Sequence, residues 1–280
     1  MVFLGSEALR SGRLSRGQLR WNYTAVHPDV YLRKGAQRTL AVNAAAAALW
    51  VPGGIITGRA AAALHGAGFV DDDTPIEIIG RSRRPRPGVI VRSERIAGDE
   101  TTTSAGMTLS TPARTALDLA RHLPRTQAVA HLDALAAATA LDPQQVLALA
   151  ERYPGARGVR MARNRIPLLD PGAQSPRESW LRLLVIDAGF PPPQTQICVR
   201  HDGFTAFIDM GWEDLKIGLE YDGDLHLSDR HRFVRDIGRH ETLSQLGWLI
   251  IRVVKEHSRA FILQRLHEAF RRRDPAAKSA

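Results

Sequence analysis

Phe204-Thr205-Ala206-Phe207-Ile208-Asp209-Met210-Gly211-Trp212-Glu213-Asp214-Leu215-Lys216-Ile217-Gly218-Leu219-Glu220-Tyr221-Asp222 reads as two strands around a polar break. Alternation of apolar and polar residues on both sides of the break predicts an antiparallel hairpin with one buried face. A two-residue tip at Glu213-Asp214 pairs Trp212 with Leu215 and sets Asp209 opposite Gly218. Asp209, Gly218, Glu220 and Asp222 then share one face. Phe204, Ala206, Ile208, Met210, Ile217, Leu219 and Tyr221 share the other. An odd-length loop would turn one strand over and separate the acids. In the even register Asp209 and Glu220 are diagonal neighbours, with Cβ atoms roughly 7 Å apart, and Gly218 leaves the space above the sheet open. Carboxylates so placed raise each other's pKa unless a cation joins them. Oxygen ligands suit Mg²⁺ or Mn²⁺, which lower the pKa of an attacking water and steady charge on a phosphodiester. The competing reading is a solvated polar face.

Beyond the strand, Asp222, Asp224 and His226 add polar groups. His226 is a candidate ligand through water, or a general acid or base. Ser175-Pro176-Arg177-Glu178 has the form of a capping box, which accounts for Glu178 without chemistry; the alternative is a third metal carboxylate. Around these residues the sequence predicts a helix at 176–188, strands at 194–199, 204–210 and 216–221, and a helix at 229–246 ended by Gly247. A nearly continuous apolar strand at 248–254 and a last helix carrying Phe261, Leu266 and Phe270 follow. Arg235 and Arg239 lie one turn apart on the 229–246 helix, facing either phosphate or solvent. His231 and His240 read as surface.

The 280 residues are 44% hydrophobic and 24% charged, which excludes a disordered or collagen-like chain and suggests about two domains. The single cysteine, Cys198, forms no intramolecular disulfide and no four-thiolate zinc site. Glu7 and Arg10 interrupt any signal peptide, and Asn43 and Pro52-Gly53-Gly54 break the apolar stretch from Ala41 to Ile56. The expectation is a soluble protein of a reducing cytoplasm. Residues 1–170 hold 22 basic against 14 acidic residues, and only four of all 38 basic residues are Lys. An arginine excess suits phosphate and hence nucleic acid; codon bias in a GC-rich genome produces the same composition. The first 35 residues read as two short helices, capped by Ser6 and Ser15, and a wing at 26–32. That is the back half of a winged helix-turn-helix, with Arg13, Arg16 and Arg20 facing phosphates. Arg81, Arg83, Arg84 and Arg86 form a loop between strands at 75–79 and 88–92, read as a phosphate clamp or as solvated charge. Helices follow from Pro112, at 125–138 and at 143–152, and a Pro/Gly segment from Ile166 to Gly172 separates the two halves.

From about Gln174 to Arg273 the chain resembles the Vsr-like branch of the PD-(D/E)xK endonucleases. The resemblance rests on Ser175-Pro176-Arg177-Glu178, Phe207-Ile208-Asp209, Leu219-Glu220-Tyr221-Asp222-Gly223-Asp224-x-His226 and Leu246-Gly247-Trp248. Residues 1 to about 125 resemble AbiEi antitoxin-like regulators, through the stretches Ile56 to Gly66 and Leu109 to Ala120. The resemblance implies an α/β fold: a winged-helix-like segment (1–35), an AbiEi-like α/β region (36–125), a helical connector (126–170) and an endonuclease-like mixed sheet flanked by helices in the order αβββαβα (171–280). It also implies Mg²⁺-dependent DNA cleavage, with Asp209 and Glu220 as metal ligands and Glu178 supporting them. Asp222 stands where the superfamily has lysine, and His226 is the nearest match to the histidine chemistry of the Vsr branch. Expected partners are DNA and a toxin, with no membrane. The alternatives are a non-enzymatic DNA-binding regulator with an inert nuclease-like domain, and an RNA-processing enzyme using the same acids.

Overall fold

The computed structural model describes residues 1–81, 86–223 and 230–273, with side chains outside 230–236. The chain is a mixed α/β protein that divides into two compact units, Met1–Pro171 and Gly172–Ala280. Among the described residues no helix is long and apolar enough to cross a membrane; the apolar stretch from Ala41 to Ile56 is divided between the helix Leu40–Trp50 and the strand Ile55–Thr57.

The first unit opens with β1 (Phe3–Leu4), α1 (Gly5–Arg10), α2 (Arg16–Asn22), β2 (Tyr23–His27) and β3 (Val30–Arg33). The three strands form a small antiparallel sheet in the order β1-β3-β2. Two helices followed by a ribbon is the arrangement expected of a wing. Ser15 caps α2 in a reciprocal box with Gln18. Ser6 does not cap α1. Leu4 occupies that position, and Ser6 donates its N–H and hydroxyl to the Asp29 carboxylate, which ties α1 to the wing turn.

The rest of the unit comprises α3 (Leu40–Trp50), β4 (Ile55–Thr57), α4 (Gly58–Leu64), β5 (Ile76–Ile79), β6 (Val89–Arg92), β7 (Thr101–Ser104), β8 (Met107–Ser110), α5 (Pro112–His122), α6 (Arg125–Thr139), α7 (Pro143–Glu151) and α8 (Val159–Arg165). Its sheet runs β6-β5-β4-β8-β7. Alanines 60, 61 and 62 are fully buried, and side chains this small let α4 lie close to its neighbours. The helices expected as a connector are part of this body. Leu132 and Leu135 of α6, Val146 of α7 and Ile166 pack with Leu117 and Leu119 of α5 in one core.

Thr111 caps α5 with Pro112 at its first position. One side of α5 is ionic and buried. Arg114 is fully buried, donating to Asp118 at 3.0 Å and to Glu100 at 2.6 Å. Arg121 donates to Glu94 at 2.7 Å and to Asp118 at 3.0 Å. Thr57, which precedes α4, donates its hydroxyl to Asp118 at 2.7 Å rather than capping that helix.

The second unit is α9 (Pro176–Asp187), β9 (Gln194–His201), β10 (Phe204–Trp212), β11 (Ile217–Asp222), α10 (Arg230–Gln245), β12 (Leu249–Val254) and α11 (Arg259–Arg273). The element order is αβββαβα, in a sheet ordered β12-β11-β10-β9 with β11 and β12 parallel. Two cores flank the sheet. Met210, Trp212, Ile217 and Leu219 pack with Leu181 and Val185 of α9 and with Ile262 and Leu266 of α11. Ala206 and Ile208 pack with Leu243 of α10 and Trp248.

Candidate metal and nucleic-acid sites

The β10–β11 hairpin differs from its expected register by two residues. Trp212 pairs with Ile217 rather than Leu215, so the connection is the four-residue segment 213–216, closed by Lys216 N donating to Glu213 O. Lys216 adopts a left-handed φ of 49° there. A shift of two keeps parity within the paired residues, and extending the register puts Asp209 in line with Glu220 rather than with Gly218. The ladder stops at Met210–Leu219. Beyond it the Asp209 carboxylate stands in for a strand carbonyl and accepts from Tyr221 N at 2.8 Å.

The apolar face is not the single row expected. Ile208 belongs to the α10 core and Met210 to the α9/α11 core, so the alternation breaks at Asp209. As a result, the space at Gly218 is filled. A Cβ there would lie 2.7 Å from Ile250 Cδ1 and 2.8 Å from Ile208 Cγ2. Gly218 serves packing, not access.

Glu178 comes close enough to Asp209 to act on its charge from the first turn of α9, the helix that packs on the other core. Ser175 Oγ accepts from Glu178 N at 3.1 Å, one half of the expected capping box. The other half is made one residue earlier, with Glu178 Oε2 accepting from Gln174 N at 2.8 Å. Burial, with the charges of Glu178 and Glu220 adding to it, pushes the Asp209 carboxyl up to about 7, against the opposing pull of the Tyr221 hydrogen bond and Arg239. A carboxyl held near neutrality by burial and by neighbouring acids marks a functional candidate.

Glu220 has a different environment. Its buried carboxylate receives both arms of Arg239, at 2.7 Å each, and Arg239 also donates to Phe207 O. His240 Nε2 lies 3.6 Å from Glu220 Oε2. Arg239, expected over a phosphate or in solvent, is therefore the ion-pair partner of Glu220, and His240, expected at the surface, sits within the site. Asp222, which stands where the superfamily has lysine, is bonded by Arg252 Nε at 2.5 Å. The basic residues were not legible as partners because pairing across α10 and β12 depends on tertiary placement. Asp224, His226, Arg83 and Arg84 lie outside the described residues, as does the side chain of Arg235.

The donors at Glu178 and Asp209 are all carboxylate, and their mutual repulsion fits a hard divalent ion. Glu220 joins such a set only by releasing Arg239. Among the described residues, the three potential ligands within 4.8 Å of one another are Glu94, Asp118 and His122 of the first unit. There Arg114 and Arg121 already supply the positive charge.

On the first unit, Arg13, Arg16 and Arg20 are exposed around α2. Arg13 leans on Ser11 Oγ, and the Arg20 guanidinium lies 5.9 Å from the Trp21 ring centroid. Trp21 is itself 73% exposed and had not been expected in this surface. Arg86 is exposed beside β6.

Comparison with known proteins places part of this architecture. Residues 56–169 match the family model of the AbiEi antitoxin C-terminal domain. The match begins later than the expected 1–125 and extends through α6–α8, which share one core with α5. Over 239 residues the chain is 30% identical to the uncharacterized protein MT2308 of Mycobacterium tuberculosis strain CDC 1551, covering 85% of this chain and 84% of that protein. The same figures hold for the uncharacterized protein Rv2248 of Mycobacterium tuberculosis strain H37Rv. The chain thus belongs to the family of these two mycobacterial proteins and carries within its first unit a region similar to the AbiEi antitoxin C-terminal domain.

Proposed function

We propose that the chain is a DNA-directed phosphodiesterase dependent on Mg²⁺ or Mn²⁺, in which the winged first unit contacts the duplex and the second unit hydrolyses it. The observation that carries this reading is the gathering of the Glu178 and Glu220 carboxylates around a largely buried Asp209 held by Tyr221 N, an arrangement that pushes the Asp209 carboxyl up to about 7. Glu178 and Asp209 would hold the ion, with Glu220 joining once Arg239 turns away. The ion supplies an acidified water and a counter-charge for the phosphodiester. Tyr221 N fixes the orientation of Asp209, and Gln174 N that of Glu178. Arg239, seated on Glu220, carries a guanidinium able to meet a phosphate oxygen once released. Arg16 and Arg20, on the exposed side of α2, supply phosphate contacts that position without reading sequence.

A second reading is an antitoxin-type DNA-binding regulator with a toxin partner, whose second unit is catalytically silent. Two findings favour it: the AbiEi match at 56–169, and the Arg239 guanidinium already seated on Glu220. Incubating the full chain with supercoiled plasmid in Mg²⁺, Mn²⁺ or EDTA, beside Asp209→Ala and Glu220→Ala, tests the choice. The phosphodiesterase reading expects metal-dependent nicking by the wild type alone. Equal nicking by both variants refutes it, and absent nicking together with tight binding to the protein's own promoter selects the regulator.

A further inference from the structure

We propose that a cavity in the first unit, separate from the acids of the second, binds a small phosphorylated anion such as a nucleotide. It is a half-open recess of about 620 Å³, lined by Arg95, Arg121, Arg152, Tyr153 and Arg157, with Glu94 as the one acid in its walls. That volume lies within the range of small-molecule sites. The acid compensates Arg121 but leaves Arg95 and Arg157 unmatched, because its charge is already committed to Arg121 and His122. Burial would raise the Glu94 carboxyl, but the hydrogen bonds and charges of His122 and Arg121 outweigh it and hold the group at about 2. Arg152 is matched by Asp99 and Glu100. Arg95 and Arg157 are exposed, and among the described residues their side chains make no hydrogen bond or ion pair. Two unmatched guanidinium forks therefore face one recess.

The recess is built rather than incidental. Arg95 O accepts from Arg114 Nη1 and Arg157 O from Arg121 Nε, each at 2.9 Å, so both rim residues are tied by their backbones to the buried ionic side of α5. Tyr153 is held by its hydroxyl on Glu100. Gly158 allows the loop to close against α5. It has a φ of 80°, and a Cβ at that position would lie 2.5 Å from Arg121 O. A guanidinium presents paired donors that match phosphate oxygens. A recess of this size has room for a nucleotide-sized anion.

Isothermal titration of the full chain with ATP and with inorganic pyrophosphate tests the assignment, with a duplex oligonucleotide as competitor. Saturable one-site binding is expected, weakened at least about tenfold when Arg95→Ala and Arg157→Ala are combined, since each removes a charge-assisted hydrogen bond. Arg163→Ala, on α8 and outside the lining, is expected to bind as the wild type does. Neither substituted rim side chain supports another, and circular dichroism confirms that the double variant remains folded. The proposal is overturned if neither probe saturates, if the double variant binds unchanged, or if only the duplex binds at this site.

Discussion

Asp209→Asn isolates the electrostatics of the second unit, because an amide keeps the oxygen that accepts from Tyr221 N while removing the charge. The carboxyl moves from its ordinary value of 3.8 to about 7 on folding. Between those two values the native state holds a proton that the unfolded chain has released. Stability is therefore free of this cost below 3.8, declines as the pH rises, and levels off above 7. At 1.36 kcal/mol per pH unit, the span amounts to about 4 kcal/mol. The variant should thus be more stable than the wild type at pH 8 by up to about 4 kcal/mol, with the difference vanishing near pH 4. Urea unfolding of the full chain across that range measures it, following the transition reported by Trp180, Trp212 and Trp248 of the second unit. Mg²⁺ at about a hundred times its dissociation constant should return about 2.7 kcal/mol to the wild type and much less to the variant. Equal stabilities at pH 8 would refute the burial argument. Equal responses to Mg²⁺ would remove Asp209 from the proposed ion site.

Four further outcomes are expected. Arg114→Met, which leaves Asp118 and Glu100 buried without their cation, should lower stability by about 3–5 kcal/mol in urea unfolding. Gly58→Ala should cost about 2 kcal/mol in the same assay, because Gly58 has a φ of 61° and an added Cβ would collide with the Glu77 carboxylate. Glu94→Gln removes a depressed carboxyl, whose contribution is complete above 4.5 and lost as pH falls through about 2. The variant should be less stable by about 1–2 kcal/mol at pH 7, after allowance for solvent screening, and should match the wild type near pH 2. Arg16→Ala and Arg20→Ala should each weaken duplex binding at all sequences and reduce its salt slope by about one, read by fluorescence anisotropy at several salt concentrations.

The hairpin acids were legible because parity survives an error of two residues. Reading the break as a two-residue tip misses the 213–216 turn, yet the register extended past the ladder still brings Asp209 level with Glu220. The switch of Ile208 and Met210 to opposite cores was not legible. It follows from the end of the ladder at Asp209, a tertiary event with no periodic trace. The same holds for Arg239 and Arg252: a charge on a helix or strand looks solvated until the sheet beneath supplies its carboxylate. In the first unit, β4, β7 and β8 are three or four residues long, too short for alternation to stand out. The ionic side of α5 was hidden within a stretch read only as a capped helix, although Arg114, Asp118 and Arg121 follow helical spacing.

The hydrogen bond from Tyr221 to the side chain of Asp209 has an evolutionary corollary. The side chain at 209 takes the place of a strand carbonyl at Tyr221 N, so a short acceptor there has a structural use whether or not the chain processes a substrate. Persistence of Asp or Asn at 209 would accordingly be uninformative about catalysis in related chains. The telling comparison is whether positions 178 and 220 stay acidic when 239 loses its positive charge.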